Sequence, residues 1–298
     1  MKNKLRIIQY TDPICIWCLA LEPALRKIEF LAPEQVEFHN VLGLLVGNVE
    51  QIIGNDKFSA MRFTNLKKQM IDHFNDATLK SGMPISTEHM NTVLPEDVTS
   101  VPASTAFQAM KLIDEHTANR YMRRIREAFH SDDISVSNFD ALIELASEFE
   151  IDIEEFKNNL TNGAAEEALN RDISQCHAAG IRAFPTVLLE YGDRKKIIRG
   201  FVEYSSLKME IERLTNGEVQ LKEKKMTMEL LTEYISKFKR VAAREIQVAF
   251  SLSDKELQDT VQELLDSNLF EKLERGSGYF IQGRSLVTCD SSTGTCSF

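Results

Sequence analysis

Two cysteines near the start of the chain are spaced for thiol–disulfide chemistry. Cys15 and Cys18 enclose Ile16 and Trp17 in a C-x-x-C motif, and this spacing lets two sulfurs one helical turn apart close a disulfide. The species that attacks a disulfide is the thiolate. The pair therefore predicts a redox centre in which Cys15 attacks and Cys18 resolves the mixed disulfide.

The elements around this motif should set the state of the first sulfur. Residues 5–10 have the composition of a buried strand, and residues 19–31 have the pattern of a helix. Cys15 then falls at a helix N-terminus, where unpaired N–H groups and the helix dipole favour negative charge. We expect a lowered pKa for the Cys15 thiol.

A second marker lies far downstream, at residues 180–187, which read Gly-Ile-Arg-Ala-Phe-Pro-Thr-Val. Pro185 directly precedes a predicted strand, where a missing N–H is tolerated. Together with Asp-Pro-Ile-Cys-Ile-Trp-Cys at residues 12–18, this segment resembles the DsbA-type branch of the thioredoxin superfamily, especially its cytosolic FrnE-like members. The resemblance covers roughly residues 4–214, with both motifs in the order found in that family.

The resemblance implies several properties of the site. The Phe184–Pro185 bond would be cis and would face the cysteine pair, and Trp17, Phe184, Pro185 and Thr186 would shape the substrate groove. Substrates would be protein or small-molecule disulfides and thiols. No cofactor is implied beyond the redox-active disulfide, with glutathione as a candidate co-substrate, and no metal.

Two positions depart from the pattern of related proteins. Gln9 stands six residues before Cys15, where thioredoxin-fold proteins often carry a buried acid that serves proton transfer. Ile16 and Trp17 include no cation, so we expect a less depressed Cys15 pKa and a milder redox couple than in DsbA.

The predicted elements follow the order of an α/β thioredoxin fold with a large helical insertion. A βαβ unit opens residues 1–215, helical patterns fill about 49–180, and a hairpin and a helix follow. Ser104 to Phe129 has the periodicity of a helix. Asn216 to Lys225 has the composition of a linker.

A second, smaller α+β domain is predicted at residues 226–285. Three helical patterns and a hairpin give it a winged-helix-like order, and residues 286–298 have the composition of a flexible tail. Its third helix carries acidic residues from Asp254 to Asp266, which phosphates would repel. We therefore disfavour DNA as a partner and expect a docking, structural or dimerising role, so that a homodimer is one option.

The other cysteines leave alternatives open. The total of five is odd, which argues against a disulfide framework. Cys289 and Cys296 could form a second redox pair, although idle thiols on a polar tail are the simpler interpretation. Cys176 reads as a small buried hydrophobe and His177 as a surface residue, so zinc is less favoured than redox chemistry.

Composition restricts the partners and the compartment. The chain has a net charge of −10 and a sequence pI of about 5.2, which makes nucleic acid and anionic membranes poor electrostatic partners. No apolar run is long enough to span a bilayer, and the N-terminus lacks the pattern of a signal peptide. We expect a cytoplasmic protein.

The sequence leaves two rival functions open. Glutathione-dependent isomerases of the 2-hydroxychromene-carboxylate type share the fold, but that branch generally has a serine where Cys15 stands. A cytosolic adaptor that binds clients on a DsbA-like scaffold is the second rival. Replacement of both Cys15 and Cys18 by serine would separate adaptor from oxidoreductase.

Overall fold

A four-stranded sheet forms the centre of the N-terminal part. The computed structural model describes residues 3–284, 288–290 and 295–297. The strands are β1 (Leu5–Thr11), β2 (Val36–Leu42), β3 (Thr186–Tyr191) and β4 (Arg194–Arg199), in the order β2-β1-β3-β4. β1 pairs parallel with β2 and antiparallel with β3. Helix α1 (Ile16–Leu31) connects β1 to β2, which confirms the predicted thioredoxin fold.

A helical block separates β2 from β3, as the sequence predicted. Its helices are α2 (Glu50–Ile53), α3 (Ser59–Ser81), α4 (Val101–Ile113), α5 (Glu115–His130), α6 (Phe139–Ala146), α7 (Ile153–Thr161) and α8 (Ala164–Ala178). Residues 104–129, for which the sequence predicted helical structure, belong to two helices, because α4 ends and α5 begins at Asp114. The Asp114 carboxylate accepts the Thr117 N–H at 2.9 Å and caps α5. Among the described residues, no helix has the length and apolarity to cross a membrane.

The C-terminal module has the element order of a winged helix. After α9 (Tyr204–Thr215), it comprises α10 (Met228–Phe238), β5 (Arg240–Ala242), α11 (Ala243–Phe250), α12 (Asp254–Asp266), β6 (Phe270–Arg275) and β7 (Gly278–Gly283). The three strands lie in the order β5-β7-β6. The sequence patterns predicted the helices and the hairpin but missed β5, which has only three residues.

Two short strands lie in the predicted tail. β8 (Thr288–Asp290) pairs antiparallel with β9 (Thr295–Ser297), in a register that sets Cys289 opposite Cys296. The side chains of both cysteines lie outside the described residues, as does most of the segment 286–298. The second redox pair therefore stays a prediction.

Helix α1 lies between the helical block and the C-terminal module. All of its residues except Trp17 and Glu29 are buried. Ile16, Leu19 and Ala20 join the apolar core of the helical block, whereas Leu21 and Ile28 join a core shared with α10, α11 and α12. Helix α1 is thus packed between two bodies of structure, and the module is part of its immediate surroundings.

Buried charges join α1, α5 and α11 at this contact. Glu245 of α11 is fully buried and binds Arg26 of α1 at 3.0 Å and Arg123 of α5 at 3.2 Å. Its carboxylate also accepts the N–H of Ala242 at 2.7 Å. Arg123 in turn binds Glu127 at 2.7 Å. One carboxylate from the module therefore neutralises cations of both thioredoxin-side helices.

We predict that Glu245→Gln lowers the free energy of unfolding by about 3–5 kcal/mol, because it leaves buried guanidinium charge uncompensated. Urea unfolding followed by the fluorescence of Trp17, the single tryptophan, measures the change at α1. Glu263→Gln, at an exposed position of α12, is the matched control and should shift stability by about 0.5 kcal/mol at most. Equal stability of the two variants would contradict this account.

Candidate active site

The cysteine pair occupies the predicted position at the start of helix α1. Cys15 is the N-cap residue of α1, with φ −80° and ψ 109°. Its carbonyl accepts the N–H of Cys18 at 3.0 Å and of Leu19 at 3.3 Å. Both cysteines are free thiols and buried, with Cys15 3% exposed and Cys18 fully enclosed.

The expected charge state of Cys15 is wrong for this reduced pair. Burial, the hydrogen bond with Cys18 and the charge of Asp12 raise the pKa of the Cys15 thiol well above its ordinary value. Burial also opposes ionisation of Cys18, but the Cys15 hydrogen bond, the Arg126 charge and the Thr11 hydroxyl together lower the Cys18 pKa. The hydrogen bond between the two cysteines thus favours the proton on Cys15 and negative charge on Cys18.

A buried carboxyl group, which the sequence analysis missed, lies just before the pair. Asp12 is fully buried, and its oxygens accept the N–H of Ile14 at 2.9 Å and of Leu45 at 2.8 Å. Burial outweighs these hydrogen bonds and the attraction of Arg126, and raises the pKa of Asp12 to about 6. The only position at which a buried acid was expected lies six residues before Cys15. The Asp-Pro pair directly after β1 is the sequence signal that could have indicated this carboxyl group. Gln9 itself is buried and carries no charge.

A cation reaches the site from the helical block. Arg126 of α5 is 1% exposed at its side chain, and it donates to the Glu22 carboxylate and to the Thr11 hydroxyl. The Ile16-Trp17 dipeptide lacks a cation, as noted from the sequence, but the fold supplies one beside Cys18. Long-range packing therefore restores the electrostatic support that the motif alone appeared to lack.

Aromatic and basic side chains near the start of α1 form the rim of the candidate active site. Trp17 is half-buried, its ring centroid lies 6.1 Å from that of Phe201, and Lys80 Nζ lies 5.3 Å from the Trp17 centroid. Beside them a groove of about 180 Å³ runs along α1 towards Tyr204 and Arg244 of α11. Trp17 therefore packs against the core of the helical block, and its neighbours Lys80 and Phe201 line the groove.

The proline segment has the cis bond that the resemblance implied, whereas its position facing the cysteine pair stays a prediction. The Phe184–Pro185 peptide bond is cis. Pro185 and Thr186 are buried, and the Thr186 hydroxyl donates to the Ala183 carbonyl at 2.8 Å. The Phe184 ring lies so close to Gly43 that a Cβ there would be 2.1 Å from it. Contact of Phe184, Pro185 and Thr186 with substrate stays a prediction. One side of the Phe184 ring packs against Gly43.

The remaining candidates lie away from the pair. Cys176 is buried, and its thiol donates to the Leu42 carbonyl at 3.5 Å. Burial raises the pKa of Cys176 to about 12, as expected for a packing residue, and His177 is exposed. Within the described ranges, no group of three metal-ligating side chains comes together.

Comparison with known proteins identifies the family. The thioredoxin family model matches residues 9–208. The chain belongs to the thioredoxin family. The ClpXP adapter protein SpxH of Bacillus subtilis (strain 168) is 22% identical in an alignment 310 positions long. The alignment covers 99% of this chain and 94% of that protein.

Two solved structures share the thioredoxin-family fold. A candidate protein disulfide isomerase from Nitrosomonas europaea has a TM-score of 0.60 and 18% identity, and the match covers 73% of this chain and 100% of that one. The cytosolic disulfide reductase DsbM from Pseudomonas aeruginosa has a TM-score of 0.52 and 17% identity over 72% of this chain and 93% of that one. The predicted DsbA-like fold is confirmed, whereas the FrnE-like assignment stays an expectation.

Asp12→Asn should make stability less sensitive to pH. Folding raises the pKa of Asp12 from 3.8 to about 6, so the protonated carboxyl favours the folded state fully below pH 4, and this benefit disappears as pH rises through 6. The stability of the wild type relative to the variant should therefore fall by about 3 kcal/mol between pH 4 and 7.

Urea titrations at several pH values measure this difference. Any constant cost of the amide, which cannot accept both N–H bonds, cancels in the pH dependence. Asp193→Asn, in the exposed β3–β4 turn, gives the baseline for loss of a carboxylate. A wild-type and Asp12→Asn difference that stays flat with pH would refute the assigned burial effect.

Proposed function

We propose that this thioredoxin-family protein carries out dithiol–disulfide exchange at Cys15 and Cys18. The observation that supports this most is the hydrogen-bonded thiol pair at the start of α1, with the charge of Arg126 beside Cys18. Two cysteines buried only for packing would need no cation, whereas a site that cycles through a thiolate does. A reducing cytoplasm is the compartment we propose, in keeping with the odd number of cysteines.

The reaction follows from the shared proton. The Cys15 proton passes to Cys18 along their hydrogen bond, and the Cys15 sulfur then attacks a substrate disulfide. One substrate sulfur bonds to Cys15, and the other leaves as a thiolate that takes up a proton. Loss of the Cys18 proton lets its sulfur attack Cys15, which closes the Cys15–Cys18 disulfide and releases the second substrate thiol. Two electrons pass from the pair to the substrate, and the reverse sequence oxidises a dithiol.

The groove along α1 is the surface we assign to the substrate. Phe201 offers it an apolar face and Lys80 offers a charge, and Trp17 lies beside both of them. Pro185 and Thr186 would complete the groove on the side of the proline segment. A protein segment in extended form or a small disulfide fits such a surface better than a folded protein face, because Cys15 is 3% exposed.

Single cysteine variants test the assigned roles. With an unfolded disulfide-containing peptide as substrate, Cys18→Ser should accumulate a mixed disulfide on Cys15, because the resolving sulfur is missing. Cys15→Ser should form none at position 18, and Cys176→Ser should behave as the wild type. Intact mass and peptide mapping read the products. Absence of an adduct on Cys15 in every variant would refute the exchange function.

A second candidate is an adaptor that brings client proteins to a protease. The supporting observation is coverage: the SpxH match extends over 99% of this chain, including the C-terminal module, whereas the two oxidoreductase-type structures cover 72–73%. The near-complete burial of Cys15 also suits a scaffold better than a fast enzyme. In this proposal the module and the groove along α1 bind the client.

Depletion of the protein in its host distinguishes the two functions. If the protein is an adaptor, its depletion and the depletion of ClpX should stabilise an overlapping set of proteins. Pulse-chase proteomics measures the protein half-lives. Complementation with Cys15→Ser/Cys18→Ser should restore normal half-lives within about twofold if client delivery needs no exchange. Half-lives unaffected by depletion would exclude the adaptor, and failure of the double variant alone would tie delivery to the cysteine pair.

A further inference from the structure

A basic cleft lies between the thioredoxin part and the C-terminal module, away from the rim of the cysteine pair. It has a volume of about 540 Å³ and is lined by seven basic side chains against the two acidic ones, Glu127 and Glu148. This concentration of positive charge runs against a chain whose net charge is −10. The volume is in the range of small-molecule sites.

The basic side chains come from both bodies of structure. Arg26 comes from α1, Arg120, Arg123 and Arg124 come from α5, and Lys239, Arg240 and Arg284 come from the module. Neither body alone assembles the cleft, so a ligand bound there would contact both.

Part of this charge is already neutralised, and part is not. Asp132 binds Arg124 at 2.9 Å and Arg240 at 2.7 Å. In the part of the chain that the structure describes, no carboxylate lies within 4.0 Å of the charged nitrogens of Arg120 or Lys239. Both side chains are exposed and border the cleft. The cleft therefore retains positive charge after its internal ion pairs are formed.

A buried guanidinium supplies an independent sign of a missing partner. Arg123 is 4% exposed and lines the cleft. Its Nε donates to Glu127 and its Nη2 to Glu245, but among the described residues its Nη1 has no hydrogen-bond acceptor. A buried N–H group without a partner is costly, and an anion in the cleft would satisfy it.

We propose that this cleft binds a small anion that carries phosphate groups. Guanidinium groups present parallel N–H donors that match phosphate oxygens, and several of them around one cavity suit a ligand with more than one phosphate. A diphosphate could contact Arg120 and Lys239 at the mouth and accept from Arg123 at the base. The source could be inorganic pyrophosphate or a nucleoside diphosphate, since the shared chemistry is the diphosphate group.

Isothermal titration calorimetry on the full chain tests the proposal, with pyrophosphate as the probe at about 0.05 M chloride. Saturable binding to one site is expected, and it should weaken at about 0.3 M chloride because the interaction is electrostatic. Arg120→Ser/Lys239→Gly should weaken it about tenfold or more. Lys239 has a φ of 64°, which glycine adopts readily, so this variant should fold.

Lys68→Ser/Lys255→Ser removes the same charge from exposed positions outside the cleft and should bind within about twofold of the wild type. ADP that binds more tightly than pyrophosphate would identify a nucleoside diphosphate as the source, and weaker ADP binding would identify the inorganic ion. Absence of saturable pyrophosphate binding would overturn the proposal. So would equal weakening in the control, or tighter binding of a tetra-aspartate peptide than of pyrophosphate.

Discussion

The arrangement depends on the neutralisation of charges buried around α1. Glu22 and Arg26 of this helix are both buried, and each has its partner on another element, Arg126 on α5 and Glu245 on α11. A buried ion without its partner costs several kcal/mol, so these elements can dock only in the register that pairs the charges. The same condition that fixes the position of the C-terminal module therefore fixes the cation beside the cysteine pair.

This coupling changes how the redox site should be understood. In a small thioredoxin domain, the dipeptide between the cysteines and the helix dipole would be the nearest sources of electrostatic control. Here Arg126 acts from α5 and Asp12 from the end of β1, and both are held by contacts outside the motif. The state of the sulfurs is set by the packing of the helical block as much as by the motif itself.

The sequence predicted the parts of the site that are local and failed on those that are not. Cys15, Cys18 and the cis bond before Pro185 follow from short motifs, and the element order followed from periodicity. Arg126 lies 104 positions from Glu22, so no local pattern links them. Asp12 is buried and accepts the Leu45 N–H from another loop, a contact that no local pattern shows. The pKa expected for Cys15 was wrong for the same reason: it considered the helix dipole and left out the burial of the thiol, its hydrogen bond with Cys18 and the charge of Asp12.

Asp12 is a further argument that the pair is more than two core thiols. A site selected only for stability would avoid a buried carboxyl whose pKa rises to about 6, because such a group destabilises the fold at neutral pH. It would equally avoid placing that group where its charge opposes ionisation of Cys15. Residues that cost stability and perturb one another's protonation are typical of functional sites. A buried carboxyl group with a pKa of about 6, whose charge acts on Cys15, is suited to accept and return a proton, which the proposed exchange requires and packing does not.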